Sequence, residues 1–147
     1  MLRFMLVGLP LMISSAALAE RLQKCPIDSL DQTEIATAIT AAASCAQSYE
    51  VMNVCRSNAG GDVALSEIVI QKCEQVFLAN LQPLPLKAYQ AARDSCARRF
   101  AQKESAANAS FRATCEAGVA VVFAHRADLE AMRPRRPPGV PLRQRLN

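Results

Sequence analysis

Six cysteines and one histidine carry the sharpest chemistry available to this chain of 147 residues. The thiols stand at Cys25, Cys45, Cys55, Cys73, Cys96 and Cys115. Thiols hold a metal, exchange disulfides or staple a fold, and the first two uses favour a close pair such as C-x-x-C. No C-x-x-C occurs. His125 stands alone, so a histidine-dependent triad or a multi-histidine metal site lacks its members within one chain. Near the end of the last helix and beside Arg126, it reads as a structural residue that complements the helix dipole. An even cysteine count in a chain of this size predicts three disulfides, with no metal and no cofactor.

The other candidates for chemistry are carboxylates. Asp94, Glu104, Glu116, Asp128 and Glu130 alternate with arginines along helix surfaces, the pattern of solvated faces with weak ion pairs. None is singled out as an acid or a base. There is no Gly-rich phosphate loop and no G-x-S-x-G. The chain therefore reads as a non-enzymatic protein.

The elements that must position the thiols are helices. In Tyr89 to Val122, Cys96 lies about as far before the polar break around Ser105 as Cys115 lies after it. Antiparallel packing of two helices brings these thiols level, so Cys96–Cys115 is the expected bridge across a helical hairpin. Tyr89, Ala92, Cys96 and Phe100 recur at helical intervals, as do Phe111, Cys115, Gly118, Val119 and Val122, which predicts one buried stripe on each helix.

Upstream, Asp31 followed by Glu34 has capping-box spacing and opens a first helix through Ile35 and Ile39 to about Cys45. That helix either continues to Cys55 or breaks near Ser48. Two cysteines ten positions apart on one helix are roughly 15 Å apart, too far to bond. Pairing of Cys45 with Cys55 therefore needs the break; without it each needs a partner elsewhere. Ser57-Asn58-Ala59-Gly60-Gly61-Asp62 is the clearest punctuation, with left-handed glycines ending one helix and Asp62 capping the next. The following helix, about 63–81, has Leu65, Val69, Cys73 and Val76 as its inner stripe and Phe77 beside them. Pro83 and Pro85 stop it. The fold class is an all-α, disulfide-fastened bundle of four or five helices over residues 20–132.

Both ends differ from this body. Residues 1–19 have a positive charge at Arg3, an apolar run from Phe4 to Ile13, and Ala17 and Ala19 where a signal peptidase reads small residues. They read as a cleaved secretory signal, too short in its apolar core to span a membrane. Glu20 follows, not the cysteine of a lipoprotein, so the product is expected to be soluble and periplasmic or secreted. Five of the 17 Lys and Arg lie in the Pro-rich stretch 133–147, which reads as a disordered tail. The body keeps 11 basic against 13 acidic residues, a net of about −2. A solvated extension is the plainer reading of the tail, and contact with anionic lipid or glycan is the alternative. With no aromatic residue in it, nucleic-acid recognition is not expected.

Cys45-Ala46-Gln47-Ser48-Tyr49-Glu50-Val51-Met52-Asn53-Val54-Cys55 resembles the start of the LprI-like lysozyme-inhibitor family of exported bacterial proteins. There a cysteine precedes a short polar stretch, then Glu, Met-Asn and a second cysteine, as do Glu50, Met52, Asn53 and Cys55. Ala91 to Cys96 and Cys115 to Glu130 are similar to that family's Arg-Asp-Cys helix and closing helix. The tryptophan usual before its Arg-Asp is missing, as is its Leu-Asn-Tyr ahead of the proline loop. The resemblance implies an inhibitor whose partner is a lysozyme-type cell-wall hydrolase; animal enzymes of that class are basic, and Glu50, Glu67 and Glu74 are the acidic residues this chain offers for such a contact. It also implies bridges Cys45–Cys55 and Cys96–Cys115, leaving Cys25 and Cys73 to pin the N-terminal segment to the second helix.

Overall fold

The computed structural model describes residues 24–28, 31–101 and 104–133; the expected signal and the tail beyond Arg133 lie outside them. Among the described residues the chain forms α1 (Gln32–Ala41), α2 (Cys45–Cys55), α3 (Asp62–Phe77), α4 (Pro83–Arg99) and α5 (Ala106–Met132), with a 3-10 turn at Leu78–Asn80 and no strand. The all-α expectation is met. No described helix is long and apolar enough to cross a membrane.

Local signals account for most boundaries. Asp31 Oδ1 accepts from the backbone N–H of Thr33 (2.6 Å) and of Glu34 (3.4 Å), opening α1. The backbone N–H of Thr33 is the leading cause that lowers this carboxyl's pKa. The first helix neither continues to Cys55 nor breaks near Ser48: it ends at Ala41, and α2 starts at Cys45 under a Ser44 cap. Ser44 Oγ accepts from Gln47 N–H (3.2 Å), while Gln47 Oε1 accepts from Ala43 N–H (3.1 Å). Ser44 and Gln47 have the S-x-x-Q spacing of a capping box, a signal legible in the sequence that outranks Ser48. Ser48 is buried within α2 and donates to the Cys45 carbonyl.

Lys72 of α3 closes the other side of that break, donating through Nζ to the carbonyls of Thr40 (2.7 Å) and Ala42. Here a cation satisfies carbonyls left open at the end of α1 and complements its dipole. Lys72→Met is expected to cost about 1–2 kcal/mol, read as a lower urea midpoint at unchanged slope.

At the Gly60-Gly61 punctuation the left-handed residue is Asn58 (φ 58°), not a glycine. Asp62 is the first residue of α3 rather than its cap, and its buried carboxylate folds back on the loop. Pro83 and Pro85 occupy the first turn of α4, where no intrahelical N–H partner is needed, so they start that helix as well as separating it from α3.

Helix α5 runs alongside α3, joined by Ser110 to Asp62 near their starts and by Phe123 to Phe77 further along. It presents Ala117, Ala120 and Ala124, all buried, which lets Leu65, Val69, Ile70 and Phe77 approach closely. Ile35, Ile39, Val51 and Met52 complete the core. Two stripe assignments change. Phe77 is buried and Val76 is exposed, because Phe77 sits edge-on to Tyr89 (5.1 Å between centroids). On α5, Phe111 and Val122 are exposed, because packing on α3 turns the alanine face inward.

The disulfides are Cys25–Cys55, Cys45–Cys73 and Cys96–Cys115. The hairpin bridge is as the spacing predicts, with Cα atoms 5.8 Å apart and α4 antiparallel to α5. The other two correct the pairing that the resemblance implied. Cys45 and Cys55 cap opposite ends of one unbroken 11-residue helix, so they cannot meet. Each reaches outward instead: Cys45 to α3 and Cys55 to the N-terminal segment, both with Cα atoms 4.8 Å apart.

Candidate functional site

The densest polar chemistry lies where α3, α4 and α5 meet. Tyr89 and Arg93 are one turn apart on α4, Arg112 and Glu116 one turn apart on α5, and Glu74 projects from α3. Arg93 bridges the three helices: Nη1 lies 3.3 Å from Glu74 Oε1 and Nη2 lies 3.0 Å from Glu116 Oε2. Arg112 Nε donates to Glu116 Oε1 at 2.8 Å, and Tyr89 donates its phenol proton to Glu74 Oε1 at 2.7 Å. Glu116 is nearly buried, and one guanidinium on each oxygen removes the cost of an unpaired buried charge.

The surroundings shift two of these groups. Burial, reinforced by the bond to Glu74 and its negative charge, pushes the Tyr89 phenol well above its ordinary range, so it stays a donor. Burial acts against the charge on Arg93, but opposing effects led by its bond to Glu116 outweigh it and the net shift is upward. Tyr89 thus keeps the proton it donates to Glu74, and Arg93 keeps the charge that ties Glu74 to Glu116.

Arg112 is the member with capacity left over. Its side chain is 56% exposed, and its two terminal nitrogens have no partner among the described residues. It stands on the rim of three hollows. One, of about 370 Å³, lies between α3 and α5 against Val63, Ile70 and Ala109. A second of about 240 Å³ opens toward Gln90 and Asp94 of α4, and a third of about 370 Å³ toward Phe100 and Glu104. Behind it, Ser110 donates to Asp62 at 2.6 Å, and Arg56 Nη1 reaches Thr114 Oγ1 at 3.5 Å while lying 6.0 Å from the Phe111 ring. Chemically this is a guanidinium fork braced at Nε, beside walls that mix apolar residues with Glu67, Asp94 and Glu104, and its terminal nitrogens suit a carboxylate carried by a partner surface.

The residues singled out from sequence disperse around this site. His125, Glu104, Asp128 and Glu130 are exposed. Asp94 is also exposed, at the edge of the second hollow. Glu116, expected on a solvated face, is instead a buried hub. Glu67 and Glu74 share a face of α3 two turns apart, but Glu74 is engaged with Tyr89 and Arg93, and Glu50 is on α2. Sequence reasoning missed Arg93, Arg112 and Tyr89 as a polar unit. The four-residue spacing of Arg112 and Glu116 was the available signal; the bonds of Arg93 cross helices and leave none.

No family model matches the chain, and comparisons with curated proteins and with solved structures give no match.

Proposed function

We propose that this protein acts by binding, and that its target is a lysozyme-type cell-wall hydrolase whose cleft it blocks. The observation that carries the binding reading is Arg112, braced through Nε on Glu116 with its terminal nitrogens unspent at the meeting of three hollows. Glycoside hydrolases set a pair of carboxyl groups across the scissile bond, and a guanidinium fork matches a carboxylate in two parallel hydrogen bonds. Bracing matters because little side-chain freedom then remains to be lost on binding. The target class comes from the resemblance around Glu50, Met52, Asn53 and Cys55 to LprI-like inhibitors. An arginine-led contact also fits a body that is only mildly acidic, since it does not depend on attraction to the net positive charge of animal lysozymes.

The test is a turbidity assay of cell-wall lysis. Stoichiometric excess of the oxidised protein is expected to slow lysis. Arg112→Ala should raise the inhibitory concentration about tenfold or more, and Arg112→Lys should not restore it, because an ammonium has no planar fork. Glu116 keeps Arg93 in these variants, so the thermal midpoint should hold within a few degrees. Undiminished lysis with the unmodified protein discards the hydrolase as target.

A second reading rests on the five arginines of residues 133–147: an envelope interaction protein that touches anionic lipid or glycan. Loss of liposome binding on deletion of that stretch supports it.

A further inference from the structure

On the other flank of α4, away from Arg112, an open groove of about 510 Å³ runs between α4 and α5, bordered by Ala88, Ala92, Val119, Val122, Phe123 and Arg126. We infer that this groove binds a single-chain anionic amphiphile, its chain along Val119 and Val122 and its head group on Arg126.

The groove exists because of what the two helices lack. The Cys96–Cys115 bridge holds them together at one end, while Ala88 and Ala92 of α4 border the trough with methyl groups alone. Val122 of α5, on the border of this groove, is therefore 50% exposed. From Cys115 to Arg126 the trough follows about 16 Å of α5, the reach of an extended medium-length acyl chain. Its volume lies within the range of small-molecule sites.

Charge selects the head group. Among the described residues Arg126 is the only charged side chain bordering the groove, and it stands at the far end from the disulfide. Its guanidinium carbon lies 5.6 Å from the Phe123 ring centroid, and it has no anionic partner among the described residues. An apolar trough ending in one unpaired cation complements an apolar chain ending in one anion. An extended peptide fits less well: among the described residues no other side chain there offers a hydrogen bond, so its backbone amides would be desolvated without partners.

The test titrates the oxidised protein with laurate below its micellar concentration, by calorimetry and methyl NMR. Saturable one-to-one binding that shifts the Val119 and Val122 methyls is expected. Arg126→Gln should weaken laurate about tenfold and leave uncharged dodecanol unchanged. Ala92→Phe should abolish both by filling the trough; Ala88→Phe, at an exposed position, serves if Ala92→Phe does not fold. Absence of saturable binding, binding indifferent to these fillings, or binding only to phosphatidylglycerol vesicles overturns the proposal. So does a ligand-free dimer that Ala88→Phe dissociates, which would make a second copy the occupant.

Discussion

Replacing Cys45 and Cys73 together by alanine is expected to remove about 3–4 kcal/mol of stability, the estimate for opening a loop of this size. The two residues are 28 apart in sequence. Small domains are held by only about 5–15 kcal/mol, so this one bridge is a large fraction of the whole. The loss should be felt locally as well, because Cys45 opens α2 and Cys73 is completely buried in α3, one residue beyond the Lys72 that closes α1. Chemical denaturation of the double variant reads the effect; a change below about 1 kcal/mol contradicts it. Connectivity can be checked on the unmodified protein. Cleavage after Glu34 and Glu50 places Cys25, Cys45 and Cys55 on three separate peptides. Non-reduced mass mapping should join Cys25 to Cys55 and Cys45 to Cys73. A peptide pair linked through Cys45 and Cys55 would mean that α2 is not one continuous helix.

The second large effect is expected at Asp62. Its carboxylate, 1% exposed, accepts from the backbone N–H of Ser57 (3.0 Å) and Ala59 (3.2 Å) and from the Ser110 hydroxyl (2.6 Å). Asp62→Ala strands a fully buried hydroxyl and two loop amides, at a cost of about 2–4 kcal/mol, with a thermal midpoint lower by about 10 °C or more. The loop amides belong to exposed residues and water can replace part of their bonding, which is why the estimate stays below a full three-bond loss. Ser110→Ala removes one bond and should cost about 1 kcal/mol. The double variant should cost less than the two separately, since Asp62→Ala already forfeits the shared bond. Strict additivity would show that the two side chains do not meet. The clamp also sets the distance between α3 and α5 where Arg112 emerges, two residues beyond Ser110. Asp62→Ala is thus expected to weaken inhibition of lysis along with stability.

Helix phase illustrates how far residue patterns reach. Val76 and Phe77 are adjacent and both apolar, so periodicity alone admits either as the inward residue. The choice fell to Phe77 because Tyr89 of α4 and Phe123 of α5 supply aromatic partners within 6.0 Å, and those partners lie on other helices. The same holds for α5, where Phe111 and Val122 gave way to Ala117, Ala120 and Ala124 once α3 became the main neighbour. On α3 the pattern placed Leu65, Val69 and Cys73 correctly and missed only at Val76, whereas on α5 it was right about helix and wrong about which residues face inward.

Read alone, the residues determined whatever depends on near neighbours. Asp31 and Ser105 cap helices through backbone groups two or three positions away, and Cys96 meets Cys115 because one polar turn folds one helix back on the next. Tertiary packing decided what depends on the lateral order of helices. Cys45 finds Cys73, Cys55 finds Cys25, and Arg93 joins Glu74 to Glu116 only after α3 and α5 lie side by side. The physical reason is range: capping and helical spacing act over a turn or two of chain, whereas a disulfide or ion pair between helices forms only when burial of the shared apolar faces has already brought them together.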